Sequence, residues 1–344
     1  MLKIKFFSFC LLLLPGAALH LTGCNPEQPK EKTETPPTSE FAQIPIIQNL
    51  SEKIAENPED EELLYARSNA YLQLGNYQNA LADIVAAIKL DSTNGKFYST
   101  LGEIYFSKQE YTRAITALEK GHKQNPDDIE LTLQLAKYQL YVGEKAKSIQ
   151  LLDEVLKKNM FYAEAYFLKG MVFKEIGDTS KAISNFQTAV EQNPNYYDAY
   201  MQLGLLLTKK KNKLAPDYFS NALKIDSTSY EARYGIAMYY QEVKNYTKAL
   251  ELYRQMILDY PQDKDAYYNT GYIYFQMDSL EKAARSFERA IGVDPTYADA
   301  YYMRGLCAEA AKDFKNARYY YQQALNLIPE HALAAAAMKR LGNL

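Results

Sequence analysis

Three histidines and three cysteines are the residues of this 344-residue chain best suited to metal or nucleophilic chemistry. Their spacing supports neither. His20, His122 and His331 stand far apart, and Cys10, Cys24 and Cys307 form no CxxC pair. No HExxH segment places two imidazoles on one helix face, and there is neither a glycine-rich phosphate loop nor a serine-nucleophile motif. Carboxylates are the remaining candidates. Asp127-Asp128 and the run 59–62 put acids side by side, as general acid–base or cation chemistry requires. Most such pairs, however, open a helical pattern, where an acid complements the positive helix end by about 0.3–1 kcal/mol. The chain is expected to carry no catalytic residue, no metal site and no cofactor.

One cysteine does have a chemical context. Lys3 and Lys5 open the chain, the apolar run 6–14 is too short for an ordinary membrane span, and Leu21-Thr22-Gly23-Cys24 follows. This stretch resembles the bacterial lipobox: an apolar residue three before the cysteine, small residues before the cleavage point, then the thiol. The resemblance implies a signal peptide over 1–23 and transfer of diacylglycerol to the Cys24 sulfur, with Cys24 becoming the first residue. An ordinary secretory signal with an incidental cysteine is the alternative. Residues 24–40 favour the lipoprotein. After Cys24 they hold four prolines and no aliphatic or aromatic side chain, so they read as a disordered tether. At roughly 3.1 Å per residue in polyproline II, it reaches on the order of 50 Å. Several acyl chains on one cysteine suffice for stable anchoring. An aspartate after the cysteine would resemble an inner-membrane retention signal; Asn25 stands there, so the expected location is a bacterial envelope, at the outer membrane, on its periplasmic or surface side. Cleavage leaves Cys307 without a pairing partner, so no disulfide is expected.

The rest of the chain is organised around residues 264–297. Tyr267, Thr270, Gly271 and Tyr274 share one face of a first helix. Asp278-Ser279 breaks the pattern, with Ser279 placed as an N-cap. Ala283, Phe287, Ala290 and Ile291 then share one face of a second helix, which Asp294-Pro295 stops. Two short amphipathic helices cannot bury their apolar faces alone, so the unit must stack on copies of itself.

The copies are present, in units 61–94, 95–128, 129–162, 163–196, 197–229, 230–263, 264–297 and 298–331. Position 8 is always small, for example Ser68, Gly102, Gly204, Gly271 and Gly305; position 20 is alanine except for Ser148. Position 24 is always large, from Ile84 and Leu118 to Phe287 and Tyr321. Small side chains let helices cross closely while the large one fills the space between them. Position 4 is mostly tyrosine, and Pro126, Pro194, Pro261, Pro295 and Pro329 close five units. This pattern resembles the tetratricopeptide repeat (TPR) family, over residues 61–331. Unit three departs most, with Thr132, Gln139 and Met160 at positions 4, 11 and 32. The resemblance implies an all-α, right-handed solenoid of eight helix-turn-helix units. Residues 41–58, with Ile46, Ile47, Leu50 and Ile54 on one face, are expected to cap its first repeat, and 332–344 its last.

The resemblance also places a binding surface on the concave side, lined by positions 2, 5, 9, 12 and 13 of the first helices. From unit four onward positions 5 and 9 are apolar or aromatic without exception; the expected groove is Phe167, Met171, Met201, Leu205, Tyr234, Met238, Tyr268 and Tyr272. Two readings are open and can hold together: a surface for apolar anchors of a protein or peptide, or packing against the next first helix. Position 2 is acidic in seven of eight units. The pairs Asp127/Glu130, Asn195/Asp198, Thr228/Glu231 and Thr296/Asp299 have capping-box spacing, so this column is read as helix starts rather than a cation stripe. The family's chaperone-tail clamp, with lysine at position 5, is absent. Lys209, Lys210, Lys211 and Lys213 crowd the turn of unit five, which is one residue short. They are read as a solvated turn.

With 39 basic against 42 acidic residues, and two of the lysines inside 1–23, the balance gives no reason to expect nucleic acid. The function expected is a membrane-anchored scaffold that binds protein partners in its groove; a homo-dimer paired through that groove is a further arrangement. The alternative is a glycan- or nutrient-binding surface lipoprotein with a TPR-like core. Thirty-one tyrosines suit sugar stacking, but the regular spacing leaves no insertion to build a sugar site and tryptophan is absent.

Overall fold

The computed structural model describes residues 40–342. The expected signal peptide, Cys24 and nearly all of the expected tether lie outside the described residues. Among the described residues there is no strand; a short 3-10 turn at Glu40–Gln43 leads into eighteen α-helices. Helix α1 is Pro45–Glu56. Eight antiparallel pairs follow: α2 Glu61–Gln73 and α3 Tyr77–Leu90, α4 Gly95–Ser107 and α5 Tyr111–Gln124, α6 Ile129–Tyr141 and α7 Lys145–Lys158, α8 Ala163–Ile176 and α9 Thr179–Gln192. Then come α10 Tyr197–Lys209 and α11 Ala215–Ile225, α12 Tyr230–Glu242 and α13 Tyr246–Asp259, α14 Lys264–Gln276 and α15 Leu280–Val293, α16 Ala298–Ala310 and α17 Phe314–Leu327, and last α18 Ala332–Gly342. Each second helix packs on its pair partner and on the first helix of the next unit. Several consecutive first helices also touch, whereas consecutive second helices do not to the same degree. The stack therefore closes on the first-helix side, which is the concave one.

The small and large positions interlock as the pattern requires. All eight side chains at position 24, among them Phe186, Phe219, Phe287 and Tyr321, have 0% exposure, and so do the seven alanines at position 20. A Cβ placed on Gly271 would sit 2.8 Å from Phe287, and one on Gly305 would sit 2.5 Å from Tyr321. Glycine at position 8 is thus a matter of volume rather than backbone freedom. In unit one Ser68 fits the same place because its hydroxyl donates to the Ala80 carbonyl at 2.8 Å. Ser148 has no such outlet: its hydroxyl is buried without a hydrogen-bond partner, a deficit of about 1–3 kcal/mol. Unit three buries two more polar groups in place of aromatic ones. Thr132 donates to the Asp128 carbonyl at 2.7 Å, and Gln139 reaches Glu119 at 3.4 Å.

The helix starts differ from the capping-box expectation. The N-caps are Asp128, Tyr196, Ser229 and Tyr297, each one residue later than expected, so Glu130, Asp198, Glu231 and Asp299 sit at N2 and not at N3. The cause is the tight turn between units. Asp226 and Asp294 accept both the backbone N–H and the hydroxyl of Thr228 and Thr296, which holds those threonines inside the turn. Ser279 does occupy an N-cap, but its hydroxyl makes no cap bond.

Within every unit the turn between helices contains a left-handed residue at position 15. Three are glycines (Gly75, Gly143, Gly177), but Gln109, Lys211, Lys244, Asp278 and Lys312 hold φ between 53° and 62°. A side chain with a Cβ is strained there by about 1–2 kcal/mol. Lys244→Gly and Lys312→Gly are therefore each expected to stabilise the chain by roughly 0.5–1 kcal/mol, after the extra unfolded-state entropy of glycine. Chemical denaturation reads this directly, and a lowered midpoint in either variant would contradict strain at that turn.

Both ends of the stack are covered. Ile47 of α1 is buried among Leu64, Ile84 and Phe97, while Ala334, Ala337 and Leu341 of α18 pack against Tyr302 and Tyr321. Arg340 closes the latter contact with two bonds to Glu309, at 2.8 and 2.7 Å. Cys307 is a free buried thiol, its pKa pushed up to about 12 by burial. No helix among the described residues is long and apolar enough to cross a membrane.

Candidate protein-binding groove

The concave face is built from side chains that first helices must present when their positions 8 and 11 turn to the second helix. Seven of the eight expected groove residues are half-buried, and Met238 is buried at 5% exposure. None stands free as a bare apolar surface. The reason lies behind and beside them. Phe167, Tyr234 and Tyr268 each rest on the position-24 ring of their own unit, at centroid distances of 5.5 Å to Phe186, 6.0 Å to Tyr253 and 5.5 Å to Phe287. Phe167 and Met171 join one apolar cluster and Tyr268 and Tyr272 another; Tyr234 packs into a third, between them along the stack. Met201 and Leu205 take the same two register positions on α10, both half-buried.

A second layer of rings was not anticipated from the sequence. Position 34, the residue before each first helix, is aspartate, asparagine or serine in four units and aromatic in the other four: Tyr162, Tyr196, Tyr297 and His331. Where it is Asn94, Asp128, Ser229 or Asp263, the side chain caps the next helix. Where it is tyrosine no side-chain cap forms. In three of these units the ring instead covers the position-5 aromatic: Tyr196 lies 4.9 Å from Phe167, Tyr297 stacks 5.1 Å from Tyr268, and His331 lies 5.4 Å from Tyr302. The signal was legible as an aromatic standing in a capping position.

The polar atoms of this layer point to the acid column at position 2. The Tyr162 hydroxyl donates to Glu130, the Tyr297 hydroxyl to Asp265 at 3.0 Å, and His331 Nε2 lies 3.0 Å from Asp299. Asp263 accepts from the Ala266 N–H and the Tyr230 hydroxyl through one oxygen, while its other oxygen is buried without a partner. Burial accordingly raises the Asp263 carboxyl above its ordinary value. The Tyr234 phenol is pushed up to about 12, mainly by burial, with its oxygen accepting from Asn269 at 2.7 Å. These tyrosines are neutral donors and stacking surfaces, not nucleophiles. No group of His, Cys, Asp and Glu among the described residues could hold a metal ion. The lysines of unit five lie at the far end of α10 and in the turn after it, away from the tyrosine layer; Lys210, Lys211 and Lys213 are exposed.

An all-α stack of eight antiparallel helix pairs with an aromatic, half-open inner face is a helical-repeat solenoid. Family models described as Tetratricopeptide repeat match residues 65–129, 163–196, 234–284 and 274–337, together more than half of the chain. The chain belongs to the tetratricopeptide repeat family, a class that mediates protein–protein interactions. It is 28% identical over 165 residues to the Hsp70-Hsp90 organizing protein 2 of Arabidopsis thaliana, covering 47% of this chain and 28% of that protein. It is 26% identical over 290 residues to a TPR repeat-containing protein of Methanocaldococcus jannaschii, covering 65% and 50%. The chain spans between 6% and 50% of the length of such curated relatives. Among solved structures, a tetratricopeptide repeat protein from Parabacteroides merdae superposes with a TM-score of 0.55 at 20% identity, covering 72% of this chain and 98% of that one. That likeness concerns the fold.

Proposed function

We propose that the chain is a lipid-anchored scaffold of a bacterial envelope that holds a protein segment along the inner face of its solenoid. The observation that carries the binding surface is the unbroken run of apolar residues at positions 5 and 9 from unit four to unit eight. In a column that only packed a solenoid, polar residues would be as acceptable as Asn69, Glu103 and Lys137 are in units one to three. The rings at positions 5 and 34 stack on one another, which favours apolar anchors of a protein over a flat sugar platform. The partner of the Hsp70-Hsp90 organizing relative does not transfer, because position 5 is never lysine here.

The anchor rests on the sequence of 1–24. Cys24→Ala removes the sulfur that would be acylated, so the expected product is uncleaved or free of lipid and leaves the membrane fraction. If that variant still fractionates with membranes and its mature mass is unchanged, the lipoprotein reading fails. Density-gradient separation of the two membranes tests the outer-membrane placement.

A further inference from the structure

The acids at position 2 have a property that their role at helix starts does not explain. Glu62, Glu130, Glu164, Asp198, Glu231 and Asp265 form no ion pair with lysine or arginine among the described residues. Three of them take a neutral donor: the Asn94 amide on Glu62 and tyrosine hydroxyls on Glu130 and Asp265. Several acids on the second helices are treated differently. Asp83 pairs with Arg67 at 2.7 Å, Asp153 with Lys169 at 2.5 Å, Asp259 with Arg233 at 3.2 Å and Glu288 with Arg304 at 2.8 Å. The chain has nearly as many bases as acids, and they pair with acids on second helices, in turns and at the far ends of first helices (Glu175, Glu309), but not with these six.

The edge is also in contact with solvent. Glu62, Glu130, Asp198, Glu231 and Asp299 are exposed; Glu164 and Asp265 are half-buried. Lys137 acts on Glu164 only from longer range, and Glu130 opposes it, so burial holds the Glu164 carboxyl above its ordinary value. The phenol of Tyr196, raised first by burial, is raised further by Glu164 and Asp198. From unit three to unit eight a carboxylate thus recurs at position 2 of every first helix beside the aromatic floor, while unit two carries Lys96 there and Lys137 acts on Glu164 alone from a distance. A helix-start role accounts for each acid singly, by about 0.3–1 kcal/mol, but not for the absence of a cationic partner in unit after unit.

We infer that the groove takes a basic protein segment, whose lysine or arginine side chains meet the position-2 carboxylates while its apolar side chains rest on the rings of positions 5 and 34. This rests on the groove reading above and adds the charge of the occupant. Carboxylate–cation bonds of this kind set register and on-rate along an interface more than they set affinity, which suits a column repeated once per unit.

Three synthetic peptides of about 20 residues, sharing leucine and tyrosine anchors and differing only at every third position (lysine, glutamine or glutamate), test this by fluorescence anisotropy with the full chain. The lysine peptide is expected to bind at least tenfold more tightly than the glutamine peptide at about 50 mM salt, with the gap closing at about 500 mM. Asp198→Asn with Glu231→Gln, two exposed acids whose amides keep the same shape, should remove at least fivefold of that advantage. Equal binding of lysine and glutamine peptides, or preference for glutamate, overturns the inference and leaves the groove intact. Lysine-peptide binding that ignores Tyr234→Ala with Tyr268→Ala overturns the groove reading instead. Absence of binding by any peptide overturns both.

Discussion

Gly271→Leu is expected to lower stability by at least about 1–3 kcal/mol, the usual cost of overpacking. The first added carbon alone would stand 2.8 Å from Phe287, a ring with 0% exposure that also supports Tyr268 from behind. Neither helix can back away without opening the contacts of α14 and α15 with their neighbours. In a linear array the damage should stay near its source. Amide hydrogen exchange is expected to rise across residues 230–330 and to change little before 160. Uniform loss of protection along the whole chain would contradict a stack of units coupled only to their neighbours.

Tyr234→Ala together with Tyr268→Ala is expected to weaken partner capture at least tenfold, roughly 1.4 kcal/mol or more, with helix content nearly unchanged. Binding energy concentrates in a few aromatic contacts, and these two rings present one edge to the groove while packing on Tyr253 and Phe287. Because they also pack, the double variant loses some local stability, and capture must be measured well below the onset of its melting. Tyr268→Phe keeps the ring stacked on Tyr297 and serves as the control for packing alone. Lys210→Ala with Lys211→Ala should change capture little. Crosslinking and recovery from intact envelopes compares the variants. If the lysine pair abolishes capture and the tyrosine pair leaves it intact, the site is the basic turn of unit five.

The sequence by itself determined the repeat, its register and its packing rule. Side-chain volume at positions 8, 20 and 24 is a local property that recurs every 34 residues, with one deletion in unit five. It therefore fixed which helices cross closely and which ring fills the gap, as Gly271 against Phe287 shows. Only the tertiary structure decided what happens between units. Tyr297 reaches Asp265 across 32 residues, as Tyr162 reaches Glu130, because the stack returns position 34 to the start of its own first helix. A window of sequence contains no such distance. The same return turns a failed helix cap into a ring over Tyr268. It leaves Glu130 and Asp265 facing tyrosine hydroxyls instead of lysines. The left-handed residue at position 15 also emerged only in three dimensions: five of the eight are not glycine, since closing the helical pair through a short turn outweighs about 1–2 kcal/mol of backbone strain.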